Sequence, residues 1–156
     1  MMSMPIKLYK KILSSFLNFG QFFCFHFRHH NLCVLYTGIG SKNQLVGQRN
    51  AIHYLSLYDN KLLRDFRGHS GEVTDLSMSP VDDTFMSVST DRTVRMWNLQ
   101  QAGCLAELEL PSSVDGTPHG CFDSTGLVFG VTAEMASNSG HVSQPRLLLQ
   151  TEILFK

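Results

Sequence analysis

The chain has 156 residues, 43% of them hydrophobic, and its 13 Lys and Arg balance 13 Asp and Glu to a formal net charge of zero. That composition excludes a disordered polyelectrolyte and a strongly basic nucleic-acid binder, and it supplies enough apolar residues for a core. The neutral total hides two unlike parts: residues 1–58 hold six Lys or Arg and no acid, residues 59–156 hold seven against thirteen acids, so +6 sits beside −6.

The head, residues 1–28, contains six of the eleven Phe, between Phe16 and Phe27. Lys7, Lys10 and Lys11 precede an apolar run from Ile12 to Phe27, the layout of a signal peptide or anchor. The run is only 16 residues long, is interrupted by Asn18, Gln21 and His26, and no small-residue cleavage site follows it, so it is too short to span a bilayer comfortably. Phe22-Phe23 breaks any period of two, and the head is expected to stay out of the sheets as a loosely held helix at most.

From residue 29 the pattern becomes that of short strands. Leu32-Cys33-Val34-Leu35-Tyr36, Ile52 to Leu57 and Leu62 to Phe66 form a first group. Val73, Asp75-Leu76 and Met78, then Phe85, Ser87 and Ser89, then Val94, Met96 and Leu99 alternate along the next three runs, and Cys104 to Leu110 adds a fourth. Ser79-Pro80-Val81-Asp82-Asp83 and Thr90-Asp91-Arg92 separate strands as turns, because Pro presets φ and Asp hydrogen-bonds its own backbone. Gly120-Cys121-Phe122 and Leu127-Val128-Phe129-Gly130-Val131 begin a third group, and Glu134 to Gly140 has the composition of a loop. The fold class is all-β, with residues 29–133 as the repeat region and 134–156 as an unmatched tail.

Within this region Gly68-His69 and, 28 residues after the histidine, Trp97-Asn98 bracket one four-stranded unit with Asp91 in a tight turn, the signature of a β-propeller blade. The pattern has a physical reason. An indole N–H on one strand can donate to a hydroxyl on the next, the hydroxyl to the His entering the blade, and the His to the turn Asp. Leaving such buried groups without partners costs about 1–3 kcal/mol each. The expected structural tetrad is His69, Ser87, Asp91 and Trp97; Ser89 shares the face of Ser87 and stays open as the hydroxyl, with Ser87 favoured because it stands four before the Asp. The same residue types compose a Ser-His-Asp triad, but nothing supplies a nucleophile elbow or an oxyanion hole.

Tyr58-Asp59 lies 39 residues before Trp97-Asn98 and marks an upstream repeat, with Tyr58 expected at the position of Trp97. The region therefore reads as a partial WD40 β-propeller of about one complete and two incomplete blades. A seven-bladed ring needs roughly 280 residues, so this chain is expected not to close a ring alone and to be a fragment of a larger protein.

The run Leu76-Ser77-Met78-Ser79-Pro80-Val81-Asp82-Asp83-Thr84-Phe85 is more specific than a generic repeat. Together with Ile52 to Lys61, Gly68-His69, Cys121-Phe122-Asp123-Ser124-Thr125-Gly126-Leu127-Val128-Phe129 and Glu134-Met135, it resembles the small WD-repeat subunit of COMPASS-type histone lysine methyltransferase complexes, a family that also serves a nuclear protein-phosphatase complex. Asn98 stands where the family has Asp, and both chain ends leave the pattern. The resemblance implies a nuclear, non-catalytic interaction scaffold linked to transcription, whose partners are methyltransferase complex subunits and the transcription machinery. It implies no cofactor, catalytic residue, small-molecule substrate, membrane or direct nucleic-acid contact. The competing expectation is a truncated, non-functional product of a propeller gene.

Other constellations carry less. Cys24, His26, His29, His30 and Cys33 fit no standard zinc spacing and are interleaved with Phe25 and Phe27. Gly38-Ile39-Gly40-Ser41-Lys42 lacks the second glycine of a phosphate loop at the required distance. Asp82-Asp83 reads as a turn before a strand, and Arg64, Arg67, Arg92 and Arg95 as a solvated face. Cys24, Cys33, Cys104 and Cys121 are scattered and read as reduced thiols of a cytosolic or nuclear protein.

Overall fold

The computed structural model describes residues 25–27, 32–36, 42–59, 61–135 and 146–152, all of them strands and the turns between them. The first sheet contains β1 (Phe25–Phe27), β2 (Leu32–Tyr36), β3 (Asn43–Gln48), β4 (Ala51–Ser56) and β5 (Leu62–Arg67). The second contains β6 (Val73–Met78), β7 (Thr84–Ser89), β8 (Thr93–Asn98) and β9 (Cys104–Glu109). The third contains β10 (Val114–Phe122), β11 (Val128–Met135) and β12 (Arg146–Glu152). Within each sheet every strand pairs antiparallel with its neighbour in sequence. The sheets are blades of a partial WD40 propeller, with β6 packed against β2 and β3 on one side and β10 on the other.

Alternation decides which faces are buried. Leu45, Ile52 and Phe66 of the first sheet meet Val73, Leu76, Met78, Phe85, Trp97 and Leu99 of the second in one core. The opposite face of the second sheet sends Met86, Val88, Val94 and Met96 into a second core with Phe129 and Val131 of the third. All six residues of β7 are therefore buried, because both of its faces are covered. Its side chains split by parity: Phe85 serves one core, Met86 and Val88 the other.

Three expectations need correction. Phe25–Phe27, the end of the head, pairs with residues 32–34 and joins the first sheet; beyond the Phe22-Phe23 break, Phe25-His26-Phe27 restores the period of two that a strand needs. Residues 1–24 lie outside the described residues, as do Cys24, His29 and His30 of the cysteine-histidine cluster and Gly38 to Ser41 of the glycine-rich loop. The stretch read as loop, Glu134 to Gly140, begins inside a strand, since β11 continues to Met135, and the unmatched tail supplies Arg146–Glu152, which pairs with β11 as a third strand. The apolar run Leu147-Leu148-Leu149 lay beyond the loop-like stretch and carried no repeat signature.

Tyr58 is the third. It lies in the turn after β4 and is 82% exposed, whereas Trp97 is buried. Register identifies the residue that corresponds to Trp97. Trp97 faces Phe85 on one side and Cys104, after a register shift, on the other. Leu55 faces Gln44 and, after the same kind of shift, Leu62. Leu55 precedes Trp97 by 42 positions, within the expected repeat of roughly 40–45.

Candidate functional site

The connection from β5 to β6, Gly68 to Glu72, brings His69 against Asp91 of the turn that joins β7 to β8. The four residues Trp97, Ser87, His69 and Asp91 meet there in one chain of hydrogen bonds. The Trp97 indole N–H donates to Ser87 Oγ at 2.8 Å, and the Ser87 hydroxyl donates to His69 Nε2 at 2.7 Å. His69 Nδ1–H donates to Asp91 Oδ2 at 3.0 Å. The direction follows from chemistry: indole nitrogen only donates, carboxylate only accepts, and burial lowers the His69 pKa and favours the neutral ring, which is then the Nδ1–H tautomer. Ser89 is placed elsewhere; its Oγ accepts the Asp91 N–H at 3.2 Å.

Asp91 is held from several sides. Ser70 N–H donates to Oδ2 at 2.8 Å, while Thr93 N–H and the Thr93 hydroxyl donate to Oδ1 at 2.9 and 2.7 Å. Burial pushes the Asp91 carboxyl pKa upward, but Thr93, Ser70 and His69 outweigh it and hold the group well below the usual carboxylate range. For His69 burial is the largest influence and lowers the pKa from its ordinary 6.5, against the opposing pull of the Asp91 charge. A neutral imidazole on an ionised carboxylate is the result.

Sequence reasoning did not include Thr93, Ser70 or Thr90, which close the network; Thr90 Oγ1 accepts the Glu72 N–H at 2.9 Å. The signal was present in the spacing, since Ser or Thr two residues after a turn Asp is placed to bond it. Close approach is enforced at Gly71, where a Cβ would stand 2.5 Å from the Asp91 nitrogen.

The Ser87–His69–Asp91 order matches that of a hydrolytic triad, so its surroundings decide its chemistry. Ser87 is 0% exposed, and its oxygen already accepts from Trp97 while its proton is given to His69. No substrate carbonyl can reach an atom enclosed in this way.

A second set of polar contacts joins blades. The Thr74 hydroxyl donates to the Pro118 carbonyl at 2.6 Å, Gly120 N–H to Asp75 Oδ2 at 3.2 Å, and Phe122 N–H to Ser77 Oγ at 3.1 Å. Side chains of β6 thus meet backbone groups of β10 that have no strand partner on that side. Of the four arginines read as a solvated face, Arg95 departs from the expectation: its side chain is mostly buried, pairs with Glu107 at 2.9 Å and lies against Gly68. Among the described residues no group of three or more His, Cys, Asp or Glu is arranged to hold a metal ion.

Fold and network together define a set of WD40-repeat propeller blades. Residues 60–98 match the family model "WD domain, G-beta repeat", and the chain carries a WD40 repeat. It is similar to WD repeat-containing protein 82 of Drosophila melanogaster, with 41% identity over 111 residues covering 70% of this chain and 32% of that protein. It is also similar to COMPASS component SWD2 of Saccharomyces cerevisiae, with 42% identity over 80 residues covering 51% of this chain and 23% of that protein. The chain thus spans a third or less of the length of these curated relatives. Among solved structures, the Cps50 (Swd1) β-propeller domain of Myceliophteria thermophila superposes with a TM-score of 0.52 at 17% identity, over 68% of this chain and 35% of that one. That likeness concerns the fold.

Proposed function

We propose that the chain is a non-catalytic interaction scaffold that presents WD40 blades to protein partners of a nuclear, COMPASS-type histone lysine methyltransferase complex linked to transcription. The observation that carries the reading is its 42% identity to a COMPASS component over 80 residues. The site supports the non-catalytic part: the Ser87 hydroxyl, placed against His69 as a nucleophile would be, is enclosed and committed to hydrogen bonds. In this reading the tetrad His69, Ser87, Asp91 and Trp97 is structural. It fixes the turns of the blade, and exposed loops on that rigid scaffold make the contacts.

The test is proximity labelling with the tagged chain in the nucleus, at native expression level. Enrichment of methyltransferase subunits above a nuclear control protein is the expected outcome, with weak retention on washing because the chain spans so little of its relatives' length. Rapid degradation without enrichment would overturn the reading in favour of a truncated, non-functional product. Enrichment of secretory-pathway chaperones alone would remove the chain from the nucleus.

A further inference from the structure

Two stretches by which the chain resembles its family most specifically, Leu76 to Phe85 and Cys121 to Phe129, lie in different blades, yet their turns touch. Gly126, with φ of +70°, packs so closely on the β6–β7 turn that a Cβ there would stand 2.8 Å from Val81 Cγ2 and 3.2 Å from Pro80 Cδ. The buried parts of both stretches are explained by the cores. Their tips are not: Val81 is 65% and Leu127 59% exposed, two large apolar side chains flanking the Gly126 contact. The Gly126 contact covers only part of Val81, and both side chains leave most of their surface to solvent.

Among the described residues, the turns that form this surface carry charge of one sign. Asp82 and Asp83 follow Val81, Asp123 opens the facing turn, and the adjoining β8–β9 turn is tied to Asp83 through Leu99 N–H and the Gln100 side chain. The three turns, residues 79–83, 98–103 and 123–127, contain no Lys, Arg or His. The carboxylates are also fixed in place: Asp82 accepts Thr84 N–H at 2.9 Å, Asp83 accepts Gln100 Nε2 at 3.2 Å, and Asp123 accepts the Thr125 hydroxyl at 2.6 Å. Lys42 and Lys61 belong to the neighbouring first blade, where Lys61 pairs with Asp59 and Lys42 lies over the Tyr58 ring.

We infer that the surface formed by Val81, Asp82, Asp83, Asp123 and Leu127 is a docking site for a basic protein segment in which an apolar residue stands between lysines or arginines. The apolar pair receives the apolar residue and the preplaced carboxylates receive the flanking cations, an apolar centre within a charged rim. This goes beyond the scaffold reading and does not depend on it.

The full chain is titrated, by fluorescence anisotropy, with labelled Lys-Arg-Leu-Arg-Lys and with its acidic counterpart Glu-Glu-Leu-Glu-Glu. The basic peptide is expected to bind saturably and the acidic one not at all. Asp82→Asn with Asp83→Asn keeps the acceptors that hold the turn but removes two charges, and should weaken binding about tenfold. Val81→Ser with Leu127→Ser should weaken it by a similar factor of about ten at unchanged charge, whereas Arg49→Gln, at the opposite end of the strands, should leave affinity unchanged. Circular dichroism of each variant establishes that it is folded. Non-saturable binding, or loss in the Asn pair with none in the Ser pair, would show electrostatic attraction without a site and overturn the inference.

Discussion

Trp97 combines two kinds of stabilisation in one side chain. Its ring packs edge-on against Phe66 at 5.7 Å and parallel to Phe85 at 6.4 Å, and its N–H ends the Ser87–His69–Asp91 chain. Trp97→Ala is expected to cost about 3–5 kcal/mol of unfolding free energy, since a large cavity opens and a hydrogen bond is lost together. Ser87→Ala removes little volume but leaves the indole and the imidazole without their shared partner, and should cost about 1–3 kcal/mol. Urea unfolding of both variants checks the pair; equal losses would mean that the indole contributes no more than its hydrogen bond.

The same network makes the fold sensitive to acid. His69 has its pKa lowered in the folded chain, so its contribution is complete above the ordinary value of 6.5 and is lost as pH falls below that value toward the folded pKa. Asp91 is lowered too, and contributes stability above the ordinary carboxylate value of 3.8 that is lost below it. Stability is therefore expected to decline in two stages on acidification, and His69→Gln should flatten the first and shrink the second, because His69 helps Thr93 and Ser70 to hold the Asp91 pKa down. Thermal melts between about pH 7.5 and 2 test this; an unchanged first stage in the variant would place its origin in another group.

Strands are where sequence and structure diverge in an instructive way. The second blade was legible because residue identity, spacing and alternation agree there, from His69 through Trp97. In the first blade they conflict. Tyr58-Asp59 imitates the Trp97-Asn98 dipeptide by composition, but pairing register assigns the position to Leu55. A leucine has no N–H to donate, so this position supplies no indole to start a tetrad. The tail strand β12 was illegible for a different reason: its partner β11 lies across the loop-like stretch, and long-range pairing leaves no local trace. Blade-to-blade contact was equally hidden, because it depends on missing side chains. Gly120 of β10 is the clearest instance: a Cβ there would stand 2.7 Å from Met86 Cε and 2.9 Å from Val88 Cγ2. Gly120→Val is expected to destabilise by about 1–3 kcal/mol through overpacking, whereas Thr117→Val on the exposed side of β10 should stay within about 0.5 kcal/mol. Denaturant midpoints decide it, and a neutral Gly120→Val would show that the second and third blades can separate without cost.

At the scale of the molecule, a propeller protects its sheets by closing on itself, and the described strands form three of its sheets. β5 ends the first sheet and β9 the second, and both carry exposed leucines, Leu63 and Leu105. An exposed strand edge offers unpaired N–H and C=O groups, and apolar side chains beside it strengthen any strand that adds on. Burial of β9 is slight along its whole length, so Leu105 can be exchanged without opening a core. Leu63→Lys with Leu105→Lys is therefore expected to lower self-association of the chain while leaving its unfolding midpoint within about 0.5 kcal/mol of the parent, since a lysine on a sheet edge must be desolvated before another strand can pair there. Light scattering across a concentration series measures the effect. If the double variant associates as strongly as the parent, the contact does not run through these two edges.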